Sequence, residues 1–63
     1  MKVEYIVNNY MLGAKVKSTQ VDKIIINERI DKSHTRLVYE FQCEREKEAC
    51  DRILSKRGRQ VEG

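Results

Sequence analysis

Residues 35–43, with the sequence TRLVYEFQC, alternate between two kinds of side chain. The first set is mostly apolar and the second mostly polar: Leu37, Tyr39, Phe41 and Cys43 against Arg36, Val38, Glu40 and Gln42. A period of two residues is typical of a strand with one buried face. We therefore predict a strand here whose first set faces the core.

A second strand is predicted over residues 21–30, which are rich in β-branched side chains. Residues 31–34, DKSH, favour a short loop because Asp and Ser suit the first position of a type I turn. If Ile30 lies opposite Thr35, most large apolar side chains of both strands share one face. That register pairs Glu28 with Leu37, Ile26 with Tyr39 and Ile24 with Phe41 on the core face.

On the reverse face, the same register places Ile25 near Val38 and Arg29 opposite Arg36. Like charges that face each other directly destabilise a hairpin unless an anion or an acidic partner lies between them. A register shifted by two residues keeps the same faces and separates the arginines. Both registers remain open from the sequence.

Residues 2–8 also alternate, with Val3, Tyr5 and Val7 on one side, and predict the first strand. Asn8, Asn9 and Gly13 then favour a turn. Whether residues 14–18 add another short strand stays open.

Residues 44–57, EREKEACDRILSKR, are strong helix formers, and Gly58 is a suitable residue to follow the helix end. Acidic residues come early in this segment and basic residues late, which complements the helix dipole. Its apolar stripe consists of Ala49, Cys50, Ile53 and Leu54. We expect this stripe to pack on the sheet and residues 58–63 to fray.

These elements predict one small α+β domain over residues 1–63. It has a three- to four-stranded antiparallel sheet with one C-terminal helix packed on one face. A domain of this size buries only about 60% of the surface that its unfolded chain exposes. Because one helix covers one face and edge strands stay unpaired, we expect a homodimer.

Composition gives weak indications of partners. The chain has 13 basic and 10 acidic residues, a net charge of +3, which permits nucleic-acid binding without requiring it. Two cysteines are too few for a disulfide framework, and no signal segment or apolar membrane span is visible. We expect a soluble cytoplasmic protein that does not enter a membrane.

Residues that could carry chemistry are few. His34 falls in the predicted loop without an orienting partner, so we expect neither catalysis by it nor help from Ser33. Cys43 and Cys50 read as small buried core residues rather than zinc ligands, because the paired spacing of a zinc site is missing. Glycine-rich phosphate loops are absent from the sequence. We predict no enzyme, metal or cofactor.

The predicted function is a protein-interaction module that binds a partner through the uncovered sheet face, with Ile25, Arg29, Arg36 and Val38 as contacts. A small regulator or inhibitor fits this description, and the size suits a phage or mobile-element genome. The alternative is nucleic-acid binding through phosphate contacts. Its candidate residues are Lys23, Arg29, Arg36, Lys56, Arg57 and Arg59.

Overall fold

The computed structural model describes residues 1–61, and within them it confirms the α+β class. The elements, in chain order, are β1 (Lys2–Asn8), α1 (Asn9–Ala14), two 3₁₀ helices (Val16–Ser18 and Val21–Lys23), β2 (Ile24–Arg29), β3 (His34–Glu40), α2 (Glu44–Leu54) and β4 (Arg59–Val61). The residues left open in the sequence, 14–18, therefore belong to helical turns rather than to a strand.

The four strands form one antiparallel sheet in the order β2-β3-β1-β4. Since β1 and β2 both run antiparallel to β3, they share a direction and β3 lies between them. This is the split β-α-β arrangement of a β-α-β-β-α-β chain. The two central strands are β1 and β3, and the two edges are β2 and β4.

The register of the β2–β3 hairpin differs by one residue from both predicted registers. Arg29 lies opposite Thr35 and Glu28 lies opposite Arg36, so the predicted opposition of two arginines is wrong. The loop is one residue shorter than predicted, because Ile30 N–H donates to the His34 carbonyl at 3.0 Å. Asp31 Oδ1 accepts from Ser33 N–H and His34 N–H, both at 2.7 Å, and holds this turn.

A β-bulge between Ile24 and Ile26 then changes the register again. Ile24 lies opposite Tyr39 and packs against the core, whereas Ile26 lies opposite Val38 on the other face. The predicted core position of Ile26 is therefore wrong. One extra residue in a strand reverses the faces on either side of it, and the alternation of the sequence does not mark its place.

The core lies between one sheet face, α2 and the segment around α1. Tyr5 meets Tyr39 edge-on with ring centroids 5.5 Å apart, and Tyr39 stacks on Phe41 at 5.1 Å. Cys50 and Leu54 of α2 are buried against the sheet, and Met11 and Val16 complete the core from the β1–β2 connection. The predicted burial of Leu37, Tyr39, Phe41 and Cys50 is confirmed.

The C-terminal part of the chain departs from the prediction. Helix α2 ends at Leu54 because Ser55 adopts a left-handed conformation with φ 55°. Residues 59–61 pair with β1 instead of fraying, with Glu4 opposite Arg59. Residues 62 and 63, also predicted to fray, lie outside the described residues.

Gly58 has a steric role that its predicted place after the helix did not indicate. A Cβ atom added at Gly58 would lie 2.3 Å from Val3 Cγ1 and 2.6 Å from Tyr5 Cζ. A side chain at position 58 would therefore force Val3 and Tyr5 of β1 to move.

We predict that Gly58→Ala lowers the free energy of unfolding by about 1–3 kcal/mol, the usual cost of overpacking. The control is Gly13→Ala in α1, where an added Cβ meets nothing within 4 Å. Alanine favours helix over glycine by about 0.5–1 kcal/mol, so Gly13→Ala should be neutral or stabilising. Urea denaturation measures both, and equal effects would contradict this role of Gly58.

Candidate functional site

On the sheet face opposite α2, the predicted contact residues of β3 are less exposed to solvent than expected. Val38 is only 1% exposed, although it lies on this face between Glu4 of β1 and Ile26 of β2. Arg36 forms an ion pair with Glu4, and its side chain is 29% exposed. Long side chains of this kind cover apolar surface beneath them. Val38, predicted as an exposed contact residue, is therefore not available to a partner.

The exposed apolar surface lies at the β2 edge instead. Four apolar side chains in or beside β2 are 51, 50, 38 and 51% exposed: Val21, Ile25, Ile26 and Ile30. Arg29 is exposed in the same strand. Of the four predicted partner contacts, Ile25 and Arg29 thus belong to this group, whereas Arg36 and Val38 lie on the central strand β3. We call residues 24–30 the β2 edge.

Backbone groups of the β2 edge point away from the protein. Phe41 N–H donates to the Met1 carbonyl at 2.8 Å, which directs the odd-numbered residues of β3 towards β1. Hydrogen bonding alternates along an antiparallel pair, so the even-numbered residues of β3 bond β2. In the observed register their partners are Ile30, Glu28 and Ile26. The N–H and C=O groups of Asn27 and Arg29 therefore face outwards.

The two edges of the sheet differ in ways that matter for association. Strand β4 is three residues long, with Arg59 and Gln60 exposed. Strand β2 is six residues long and carries consecutive isoleucines. Natural proteins protect edges by making them short or charged, and a longer apolar edge is a template for pairing with another chain. Of the two edges within residues 1–61, β2 has the character of a binding edge.

The side chains with shifted pKa values form an internal network rather than an open cleft. Tyr5 Oη donates to Asp51 Oδ1 at 2.7 Å, and burial followed by this bond raises the pKa of the Tyr5 phenol. The same Asp51 oxygen accepts from Gly58 N–H at 2.7 Å, and Lys47 Nζ lies 2.9 Å from the other oxygen. Burial alone would raise the pKa of Asp51, but the bonds from Tyr5, Gly58 and Lys47 outweigh it and lower that pKa.

Two further core groups are bonded or buried in the same way. Tyr39 Oη lies 2.6 Å from Thr19 Oγ1, and burial raises the pKa of Tyr39 to about 12. Burial also raises the pKa of the Cys50 thiol, which makes it a poor nucleophile. Within residues 1–61, every buried side-chain nitrogen or oxygen has a hydrogen-bond partner. These shifts are accounted for by packing, and perturbed pKa values of this origin do not indicate catalysis.

The remaining residues considered for chemistry lie apart from one another. His34 is the first residue of β3, not a loop residue as predicted, and its Nδ1 lies 3.4 Å from Asp31 Oδ1. The Ser33 and His34 N–H groups lower the pKa of Asp31. Cys43 is exposed at the first position before α2, so its predicted burial is wrong. The strand stops at Glu40, three residues before Cys43, so the alternation that predicted burial of Cys43 does not extend to it.

The predicted phosphate contacts do not all lie together. Lys23 precedes the β2 edge, whereas Arg59 lies in β4 at the opposite edge. Lys56, Arg57 and Arg59 line a groove of about 380 Å³ beside Glu4 and Ile6, and Lys56 Nζ donates to the Ile6 carbonyl. Three of the predicted phosphate contacts therefore meet at the β1–β4 side of the molecule, and Lys23 does not join them.

Comparisons with known proteins add no assignment: no protein-family model, curated protein or solved structure matches this chain. In the described range 1–61, no three His, Cys, Asp or Glu side chains are grouped so that they could hold a metal ion. None of the helices in that range is long and apolar enough to cross a membrane.

Sequence reasoning missed the Asp51 network and the edge position of β2. Asp51 sits in a charged helical segment where it resembles any solvated carboxylate. The isoleucines of residues 24–26 carried a signal, because three adjacent apolar residues in a strand cannot all face one core.

We predict that Asp51→Asn lowers the free energy of unfolding at pH 7 by about 1–3 kcal/mol. The folded-state pKa of Asp51 is lowered, so its stabilising effect is present above the unfolded-state pKa of about 4 and is lost as pH falls. Denaturation curves of Asp51→Asn and the unmodified chain should converge on acidification. Glu48→Gln, an exposed change on the same helix, should stay within about 0.5 kcal/mol at pH 7. A difference that persists at pH 2 would contradict the role of the ionised carboxylate.

Proposed function

We propose that this chain is a non-enzymatic protein-interaction module that binds an extended segment of a partner along the β2 edge. The row of exposed isoleucines beside unpaired backbone groups is the observation that carries the proposal. Such binding is called strand addition, because the bound segment becomes an additional strand of the sheet. Main-chain hydrogen bonds then supply affinity, and alternate side chains supply specificity. The outward-facing backbone groups of Asn27 and Arg29 would make the hydrogen bonds. The side chains of Ile25, Ile26 and Ile30 would supply the specificity.

Strand addition also favours a role as a small regulator or inhibitor. Such a role requires only that the chain occupy a partner's surface, and a rigid edge meets this requirement. Strand β2 is bonded to β3 along one side, and the Asp31 turn fixes its end. A partner strand therefore meets a preorganised template, which reduces the ordering cost of binding.

The experiment selects peptides from a random library displayed on phage against the immobilised chain, then measures the affinity of synthetic copies. Ile26→Lys and Ile6→Lys form a matched pair, because both isoleucines are 38% exposed and lie on the same sheet face. Ile26 lies at the β2 edge, whereas Ile6 lies in the central strand β1.

Ile26→Lys should weaken peptide binding at least tenfold, because it places a charge beside the incoming strand. Ile6→Lys should change binding by less than about twofold. Circular dichroism checks that both variants fold. Equal binding by the two variants, or selection of no peptide at all, would refute strand addition at β2.

Nucleic-acid binding is the second candidate, and the groove lined by Lys56, Arg57 and Arg59 favours it. Its weakness is the sheet face, where β1 and β3 expose no aromatic side chain on which a base could stack. Tyr5, Tyr39 and Phe41 are all buried on the core side. Binding through the groove would therefore rest on phosphate contacts alone.

A gel shift with mixed DNA and RNA at low salt tests this second candidate. Phosphate binding predicts a shift at micromolar protein that weakens steeply as salt rises. The double variant Arg57→Ala, Arg59→Ala should remove the shift if the groove is responsible. Absence of any shift with the unmodified chain would exclude this candidate.

A further inference from the structure

We infer that the groove lined by Lys56, Arg57 and Arg59 binds a small phosphate monoester, with the N–H of Ile6 as a further donor. The groove has a volume of about 380 Å³ and lies at the β1–β4 side of the sheet. Since the β2 edge lies on the other side, this site is independent of the proposed strand addition. It also differs from nucleic-acid binding, because it requires one terminal phosphate group instead of a chain of phosphodiesters.

Strand β1 extends beyond β4 on this side of the sheet. It has seven residues, and β4 pairs with residues 2–4. The bond from Phe41 N–H to the Met1 carbonyl directs the odd-numbered residues of β1 towards β3, so the even-numbered residues face β4. Ile6 is the first even-numbered residue beyond the paired segment. Its N–H and C=O groups therefore point to the side on which the groove lies.

Lys56 agrees with this direction and supplies the first cation. Its Nζ donates to the Ile6 carbonyl, which holds the ammonium group at the edge of β1. An ammonium group has three donors, and one of them makes this bond. A long side chain is thus held beside the N–H of Ile6 before any ligand arrives. Holding a binding group in place in this way reduces the ordering cost of binding.

Two guanidinium groups line the same groove. Arg57 and Arg59 are exposed, and Arg59 lies opposite Glu4 in the β1–β4 ladder. Among the ion pairs within residues 1–61, none involves Lys56, Arg57 or Arg59. Like charges around one groove repel one another, and a groove lined by one sign of charge attracts ions of the opposite sign. A bound anion would remove that repulsion.

The groove lining also includes one acidic residue, Glu4. Its carboxylate is bonded to Arg36 of β3, and its side chain is 16% exposed. Three cations against one carboxylate leave the groove positive, even before Arg36 is counted. Glu4 therefore does not prevent an anion from binding.

The kind and number of donors favour a phosphate monoester. Each guanidinium group presents N–H donors in a planar fork that matches the oxygens of a phosphate. A phosphate monoester carries a charge of about −1.5 to −2 at pH 7 and three acceptor oxygens. A phosphodiester carries a single charge and fewer charged oxygens. Because the three cations meet at one groove, they suit one highly charged group better than a chain of singly charged ones.

The size of the groove favours a small molecule. Sites for small ligands have volumes of about 300–1,000 Å³. At about 380 Å³, the groove falls at the lower end of this range. It therefore has room for a phosphate and a small group attached to it.

An NMR titration of the full chain with methyl phosphate tests the site. Backbone amide shifts are followed at pH 7, with sodium chloride holding the ionic strength constant. The amides of Ile6 and residues 57–59 should shift together and reach saturation, with a dissociation constant of about 1 mM or lower. Shifts that do not saturate, or an Ile6 amide that does not respond, would overturn the inference.

Arg59→Gln and Arg45→Gln form a matched pair, because each removes one charge from an exposed arginine. Arg45 lies in α2 and does not line the groove. Arg59→Gln should weaken methyl phosphate binding about tenfold, because a charge-assisted hydrogen bond is lost. Arg45→Gln should change it by less than about twofold. Equal effects of the two variants would contradict a site in the groove.

Circular dichroism checks that both variants fold. If Arg59→Gln disturbs β4, Arg57→Gln provides the same test, because residue 57 lies between α2 and β4. It should also weaken binding about tenfold, and an effect no larger than that of Arg45→Gln would overturn the inference.

Dimethyl phosphate, a diester with one charge, tests the class of ligand. It should bind at least tenfold more weakly than methyl phosphate, because it lacks the second charge and one acceptor oxygen. Equal or tighter binding would rule out a preference for monoesters and support the phosphate contacts of a nucleic acid instead. A phosphoserine peptide that bound more than tenfold tighter than free phosphoserine would likewise contradict a small-molecule ligand.

Discussion

The position of helix α2 depends on one carboxylate. Asp51 binds Tyr5 of β1 and the N–H of Gly58, the residue that leads into β4, so a single side chain ties the helix to a central strand and to the strand that follows it. Gly58 lies so close to Tyr5 and Val3 that no side chain fits there. Together these contacts hold the helix over the β1–β4 side of the sheet. The buried aromatic cluster of Tyr5, Tyr39 and Phe41 extends the core from there towards β3.

Because α2 lies over the β1–β4 side of the sheet, strand β2 at the opposite edge is left largely uncovered. Strand β2 packs on the core only through Ile24, and residues 25–29 are exposed. The sheet face away from the helix is covered by its own ion pair between Arg36 and Glu4, which leaves Val38 buried. Apolar surface thus remains where the fold provides neither helix nor charged cover. Exposed isoleucines beside unpaired backbone are unfavourable in an isolated chain, and strand pairing removes both features at once.

The sequence predicted the elements better than it predicted their relative positions. Alternation in residues 35–41 and 2–8, β-branched side chains in residues 21–30, and helix formers after Cys43 correctly indicated three strands and the helix, because these signals are local. The register of the hairpin failed by one residue, since it depends on the turn that Asp31 closes and on a bulge at residue 25 that no pattern marks. Strand order could not be predicted at all. Without it, Ile25 and Arg29 were assigned to a sheet face when they belong to an edge, and Val38 was assigned to an exposed surface when it lies on a central strand.

Amide hydrogen exchange tests the open β2 edge most directly, because it reports each backbone group separately. At low concentration, the amides of Asn27 and Arg29 should exchange rapidly while that of Glu28, bonded to β3, stays protected. Binding of a peptide selected for affinity to the chain should slow exchange at Asn27 and Arg29 and leave Glu28 unchanged. The account would be contradicted if Asn27 and Arg29 were as protected as Glu28 in the free chain, or if a bound peptide left their exchange rates unchanged.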